Sequence, residues 1–176
     1  MLRNFMGQSG THLLTNKSNN GYEMPIILFK IPLVDWVRRT IKYMNTAGKE
    51  DSKNWSNYWL QAYEDLGGKS TSSGSKGCPK CAVYGLWRLG RISNSGRDFQ
   101  NPKLKQINEE FGKNAVYAVL ALDLLENMQR EKEISKKDLW TKVRDRIEKE
   151  LREKPAQSEQ GAVKVALDLF EEKQIV

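Results

Sequence analysis

The chain contains an internal repeat, because its last nineteen residues match an earlier segment of equal length. Residues 75–93 read SKGCPKCAVYGLWRLGRIS and residues 158–176 read SEQGAVKVALDLFEEKQIV, at a constant offset of 83. The aligned pairs include Ser75 with Ser158, Leu86 with Leu169, Trp87 with Phe170 and Ile92 with Ile175. The preceding segments correspond at an offset of 85, where Trp55, Ala62 and Leu66 match Trp140, Ile147 and Leu151. Such a repeat indicates one structural unit used twice.

Apolar residues recur at helical spacing in both copies, whereas alternation typical of strands occurs only weakly, over residues 26–31. The expected helix starts are Pro32, Lys53, Cys78, Asn101, Asn114, Ser135 and Ser158. Glycines or a proline mark most of the expected ends, namely Gly48, Gly67, Gly90, Gly112 and Pro155. The Gly/Ser-rich segment before Cys78, residues 68–77, is expected to be a loop that is too polar to pack.

These patterns predict a mainly α protein in which two tandem three-helix, helix-turn-helix-like units pack as one body. The first unit covers residues 25–95, and the second covers residues 101–176. Residues 1–24 are rich in Asn, Gly, Ser and Thr, so we expect a poorly ordered N-terminal tail, with Met24 as an alternative start.

Bulk composition excludes several classes of protein. Apolar residues at 39% and charged residues at 29% are ordinary for a soluble globular protein. No apolar run approaches the roughly 18 residues that a membrane span needs, and the N-terminus has no secretory signal. Two cysteines without an export signal favour a reducing compartment, so we expect a cytoplasmic protein that does not bind membranes.

Positive charge is concentrated in the first unit. Residues 66–105 contain eight Lys or Arg and a single acid, Asp98, whereas residues 111–176 contain 13 basic and 13 acidic residues. Segregated charge of this kind favours a polyanionic partner, although a well-solvated basic surface is the simpler alternative.

The end of each unit resembles the close of a helix-turn-helix or winged-helix module. A helix with an apolar stripe ends in Leu-aromatic, and an isolated Ile follows after a few residues. In the first unit this helix would read the major groove of DNA, because long cations at its ends reach phosphates or guanine edges. The candidate nucleic-acid contacts are Lys69, Lys76, Lys80, Arg88, Arg91 and Arg97. A plain helical bundle has the same apolar spacing and remains the alternative.

In the second unit the equivalent helix carries acids that would repel phosphate, so we expect it to be a structural or protein-contact copy. Those acids are Glu159, Asp168, Glu171 and Glu172.

Cys78 and Cys81 form a C-x-x-C pair at the expected start of a helix, where a thiol gains reactivity. A glutaredoxin-like site needs a strand before the motif, and here a loop precedes it. A zinc site needs four ligands, and the only other Cys or His of the chain is His12 in the tail. We therefore interpret the pair as a helix-start cysteine and a core cysteine.

No other pattern points to catalysis. Gly68-Lys69-Ser70 lacks the earlier glycine of a phosphate-binding loop, since position 63 is Tyr63. With one histidine in the chain, a His-based nucleophile is excluded in practice. We expect no catalytic residue, no cofactor and no bound metal.

Residues 77–86, which read GCPKCAVYGL, resemble a family of small, uncharacterised bacterial proteins. Their pattern is Gly-Cys-Pro-Lys, then Ala, then Gly-Leu, with a later Leu-Trp before a terminal apolar helix. The matching positions are Gly77, Cys78, Pro79, Lys80, Ala82, Gly85, Leu86, Leu139 and Trp140. The resemblance covers about residues 50–176 and implies a shared fold and a role for residues 77–80 beyond packing. It implies no mechanism, and Cys81 departs from the pattern.

The sequence thus favours a non-enzymatic nucleic-acid-binding or accessory protein whose partner is duplex DNA or an acidic protein. The alternative is a helical module for protein–protein contacts, with the second unit as its contact surface. An enzyme of unusual type ranks third.

Overall fold

The computed structural model describes residues 27–28, 30–128 and 134–176, so the expected tail and His12 lie outside the described residues. A short antiparallel pair, β1 (Ile27–Leu28) and β2 (Ile31–Pro32), precedes the helices. The helices are α1 (Leu33–Ala47), α2 (Ser52–Asp65), α3 (Thr71–Gly74), α4 (Gly77–Arg88), α5 (Leu104–Phe111), α6 (Lys113–Asn127), α7 (Lys136–Glu150) and α8 (Ala162–Glu171). The prediction of a mainly α protein is confirmed.

Most predicted helix limits that rest on local signals are confirmed. Gly48 ends α1 in the left-handed conformation, at φ 62°, where glycine carries no steric cost. Ser135 caps α7, because its hydroxyl accepts a hydrogen bond from the backbone N–H of Asp138 at 3.1 Å. Gly112 separates α5 from α6.

Three predictions about helix starts and loops were wrong. Asn101 does not start α5, which begins at Leu104 after Lys103. Ser158 does not cap α8, which begins at Ala162. The carboxylate of Glu159 instead accepts from the backbone N–H groups of Val163 and Lys164, at 3.2 and 3.4 Å.

The Gly/Ser-rich segment also packs, because it forms the one-turn helix α3 against Tyr63. A Cβ on Gly74 would lie 2.6 Å from the Tyr63 ring, so this contact requires glycine.

The repeat at offset 83 is visible in the backbone where α4 and α8 end. The N–H of Arg91 donates to Leu86 O at 2.9 Å, and at the equivalent place Gln174 donates to Leu169 O at 2.9 Å. Gly90 and its counterpart Lys173 both have positive φ, 65° and 53°. The two copies therefore end their last helix with the same turn.

The two copies also pair with each other at this point. Ile92 and Ile175 form an isolated antiparallel bridge. Ser93 N–H donates to Gln174 O at 2.8 Å, and Val176 N–H donates to Arg91 O at 3.1 Å. The two bonds are equivalent at the offset of 83, because Ser93 corresponds to Val176 and Arg91 corresponds to Gln174. The joint between the two copies is therefore locally two-fold symmetric.

Helix α6 lies at the centre of the molecule and packs against α4 and α8. It is buried nearly all round, with nine buried residues among fifteen. Gly85 of α4 allows the closest approach, because a Cβ there would lie 2.3 Å from Ala115 Cβ. Both units contribute to one continuous hydrophobic core, which explains why they pack as one body.

An aromatic cluster fills the first unit. Trp36, Trp55, Trp59 and Trp87 are each at most 1% exposed. The Trp36 indole donates to Trp59 O at 2.7 Å, and the Trp55 and Trp87 rings stack at 5.1 Å. These tryptophans are core residues, as their helical spacing indicated.

Candidate nucleic-acid interface

Helix α4 is the predicted reading helix, and the fold buries most of it. Six consecutive residues, 82–87, are buried, because α2, α5, α6 and α8 all pack around the helix. A helix that lies in the major groove must present one side over several turns. Here α4 presents only its first turn and Arg88 to solvent.

Three of the six candidate cations lie at or just before that first turn. Lys69 and Lys76 are exposed, and Lys80 is half-buried. Lys69 directly precedes Ser70, which caps α3 by accepting from Ser73 N–H at 3.3 Å. Lys76 is the residue before α4. These lysines therefore mark the two ends of α3 and the start of α4.

Arg88 is held by groups of both units. Its guanidinium donates to Glu50 O at 3.0 Å and to the Tyr84 hydroxyl at 3.1 Å. It also pairs with Glu110 at 3.6 Å. Its side chain retains 26% exposure, so Arg88 links α4 to the loop before α2 and to α5.

Arg97 lies across the aromatic cluster. Its guanidinium stacks 4.0 Å from the centre of the Trp87 ring and pairs with Glu50 Oε1 at 2.7 Å. This contact is the first cause that lowers the pKa of Glu50. Because the carboxylate neutralises the guanidinium, Arg97 adds little positive potential at the surface.

Arg91 is buried, with 2% of its surface exposed. Its guanidinium pairs with Asp123 Oδ1 at 2.9 Å, donates to Asn101 Oδ1 at 3.2 Å and stacks 4.5 Å from the Phe99 ring. A phosphate cannot reach this group without rearrangement of the fold, so Arg91 ties the end of α4 to α6.

Sequence reasoning brought six cations together, and the structure separates them into two groups. The lysines Lys69, Lys76 and Lys80 lie on the surface near the start of α4. The arginines make ion pairs within the fold, Arg97 with Glu50 of the first unit and Arg88 and Arg91 with acids of the second unit. Sequence reasoning missed Glu50, which contacts two of these arginines from a loop 38 and 47 positions away. No local pattern could have identified it, because pairing over that separation depends on the fold.

The helix equivalent to α4 in the second unit has a different environment. Asp168 is 4% exposed and pairs with Lys164 at 2.6 Å. Burial raises the pKa of the Asp168 carboxyl, although the hydrogen bond from Lys164 opposes this. Glu159 caps α8 and pairs with Lys136 at 3.4 Å. These two acids therefore serve structural contacts.

Cys78 and Cys81 are both free thiols of intermediate exposure in the first turn of α4. Cys81 is thus less buried than the predicted core cysteine. Within the described part of the chain, no group of three or more His, Cys, Asp or Glu is placed to hold a metal ion.

A shallow cleft of about 380 Å³ lies beside the joint between the two copies. Its lining consists of Phe99, Glu126, Phe170, Lys173, Ile175 and Val176. Phe99 is 51% exposed and Val176 is 62% exposed. Within the described residues, the two large hydrophobic side chains that are exposed, Phe99 and Val176, thus both line this cleft.

Over the ranges described, the helices are too short or too polar to cross a bilayer.

Comparison with known proteins gives a family without an assigned activity. No curated protein and no solved structure matches the chain. A family model, described as a family of unknown function (DUF6979), matches residues 35–176, from α1 to the last residue. The chain therefore belongs to the DUF6979 family.

Proposed function

We propose that the protein is a non-enzymatic nucleic-acid-binding or accessory protein that contacts the phosphates of duplex DNA. The contacts come from Lys69, Lys76 and Lys80, around α3 and the start of α4. The observation that carries the proposal is the position of these three lysines at the surface, within a segment of twelve residues that contains no acid. Phosphate contacts of this kind give affinity without sequence specificity.

The buried middle of α4 limits the mode of binding. The helix-turn-helix resemblance placed α4 lengthwise in the major groove, whereas only its first turn and Arg88 reach solvent. We therefore propose that this turn and the preceding serine-rich segment approach the DNA backbone end-on. Arg88, Arg91 and Arg97 support the fold behind this surface rather than touching DNA.

Charge reversal with a matched control tests this proposal. The variant Lys69→Glu, Lys76→Glu, Lys80→Glu removes the three proposed contacts. The control Lys137→Glu, Lys142→Glu, Lys149→Glu makes the same charge change on exposed lysines of α7. Binding to a fluorescent duplex of random sequence is measured by anisotropy at low salt, and folding is checked by circular dichroism.

We expect the first variant to bind at least about tenfold more weakly than the control, because it loses phosphate contacts as well as net charge. Equal loss in the two variants would show that only overall charge matters. Absence of binding by the wild-type protein at low salt would refute the proposal itself.

A second candidate function is protein–protein contact through the cleft beside the joint of the two copies. The exposure of Phe99 and Val176 at this cleft favours it, because exposed apolar side chains around a concave surface are typical of contact sites. The sequence assigned this role to the acidic second unit, and the cleft includes Phe170 and Lys173 of that unit. Phe99→Ser would weaken such a contact and leave DNA binding unchanged.

The remaining expectations belong to the same proposal. We place the protein in the reducing cytoplasm, since both cysteines are unpaired. The resemblance implies a role beyond packing for residues Gly77–Lys80. In this proposal that role is DNA contact, because the segment carries Lys80.

A further inference from the structure

The first turn of α4 brings two thiols to one side of the helix. Cys78 and Cys81 are three positions apart within Gly77–Arg88, and neither is in a disulfide. The Cys78 thiol lies at the surface and donates to Gln160 Oε1, with Sγ and Oε1 3.6 Å apart. Nothing in the proposed DNA contact uses either sulfur.

Helix geometry places the two residues at the distance that a disulfide needs. A rise of about 1.5 Å per residue and a radius of about 2.3 Å put Cα atoms three positions apart at about 5 Å. Disulfide-bonded cysteines have Cα atoms about 4.4–6.8 Å apart. The Cα separation therefore suits a disulfide, and closing the bond requires the Cβ atoms, about 5–6 Å apart at this spacing in a regular helix, to approach to about 3.8 Å.

The environments of the two thiols differ. Burial raises the pKa of the Cys81 thiol, Lys80 lowers it and the neighbouring Cys78 raises it further. Cys78 is the thiol that an incoming molecule meets at the surface. Access is one of the factors that set the rate of thiol–disulfide exchange, so the surface position of Cys78 assigns the first attack to this thiol.

We propose that Cys78 and Cys81 form a reversible internal disulfide, which makes the first turn of α4 a redox-sensitive site for small disulfides such as oxidised glutathione. The Cys78 thiolate attacks one glutathione sulfur, the glutathione S–S bond breaks and one glutathione thiolate leaves. Cys81 then loses its proton and attacks the Cys78 sulfur, which releases the second glutathione. Two protein thiols are oxidised, one glutathione disulfide is reduced to two thiols, and the two protein protons balance the leaving thiolates.

Closure of this bond changes a contact between the two copies. A sulfur bonded to Cys81 has no S–H to donate to Gln160, in the turn just before α8. Trp55 is placed to report the change, because its indole donates to Lys80 O, next to Cys81, at 3.1 Å. This inference does not depend on DNA binding.

The test equilibrates the reduced protein, without oxygen, in buffers of graded reduced and oxidised glutathione. The samples are quenched in acid, alkylated and weighed by mass spectrometry. We expect the oxidised wild-type protein to carry neither an alkyl group nor glutathione, so that it is two hydrogen atoms lighter than the reduced protein before alkylation. Cys81→Ser is expected to stop at one glutathione adduct on Cys78, and Cys78→Ser is expected to form no internal bond.

A parallel titration in urea tests whether the fold prepares the pair. We expect the folded protein to close the bond at a proportion of oxidised glutathione about tenfold lower than the unfolded chain, because the helix holds the thiols close. Wild-type protein that stays reduced, or that ends with glutathione on both cysteines, would overturn the proposal. So would identical midpoints with and without urea. These wild-type measurements decide the matter even where a serine variant fails to fold.

Discussion

A methyl group added at Gly85 tests the close approach of α4 to the central helix α6. The added Cβ would lie 2.3 Å from Ala115 Cβ and 3.3 Å from Ala115 Cα. Ordinary carbon contacts are about 3.5–4.0 Å, and an alanine side chain cannot turn away. Gly85→Ala therefore forces the two helices apart by more than an ångström along this line.

The magnitude follows from two opposing effects. Overpacking of a well-filled core costs about 3 kcal/mol at the upper end of its usual range. Alanine favours a helix interior over glycine by about 1 kcal/mol. We expect Gly85→Ala to lower the free energy of unfolding by about 2 kcal/mol, measured by urea denaturation followed by circular dichroism.

A double-mutant cycle separates this clash from other effects. Ala115→Gly alone is expected to cost about 2 kcal/mol, from helix propensity and a lost buried methyl. In the double variant the methyl group moves from one helix to the other. The decrease in the free energy of unfolding should therefore be smaller than the sum of the two single decreases by about 2–3 kcal/mol. Gly77→Ala is the control, since nothing lies within 4 Å of its added Cβ. Additive losses, or a Gly85→Ala variant as stable as the wild type, would refute the close approach.

Two further predictions concern stability. Gly90→Ala should destabilise the protein by about 3 kcal/mol in urea titrations, because left-handed backbone costs about 1 kcal/mol and the added Cβ meets Asp98 O at 2.2 Å. Gly48 has a similar φ but open space around the added Cβ, so Gly48→Ala should lower the free energy of unfolding by only about 1 kcal/mol. Equal losses in the two variants would contradict the clash at Gly90. Burial raises the pKa of Asp168, so its contribution to stability is present below the unfolded pKa and is lost as pH rises through the folded pKa. The stability of the wild type relative to Asp168→Asn should therefore fall from about pH 3 toward neutrality, and a relative rise would show that the Lys164 pair outweighs burial.

The sequence predicts the elements of this fold well where the determinants are local. Gly48, Gly112 and Ser135 act through their own backbone conformation or a hydrogen bond within one turn, so their roles follow from neighbouring residues. The repeat aligns Leu86 with Leu169, and in the structure both carbonyl groups accept equivalent helix-ending bonds. It does not predict that Ile92 and Ile175 pair with each other, because internal similarity carries no information about contact between copies.

The candidate site is less accessible to sequence reasoning. The acidic partners of Arg88, Arg91 and Arg97 named above lie 22–47 positions away, and a count of charges cannot distinguish a neutralised guanidinium from a free one. Ser158 and Glu159 are both suitable caps, and the choice between them depends on the turn at Gln160 and Gly161, whose φ angles are positive. Tyr63 similarly determines the packing of α3, from outside that segment.

The salt dependence of DNA binding tests the central claim most directly, because it counts the phosphates that the protein contacts. For duplex DNA the slope of log K against log salt is about −0.9 for each phosphate neutralised. Contacts from Lys69, Lys76 and Lys80 predict a slope of about −2.7, and the triple glutamate variant should lose it. A wild-type slope near zero, or an unchanged slope in that variant, would contradict the proposed interface.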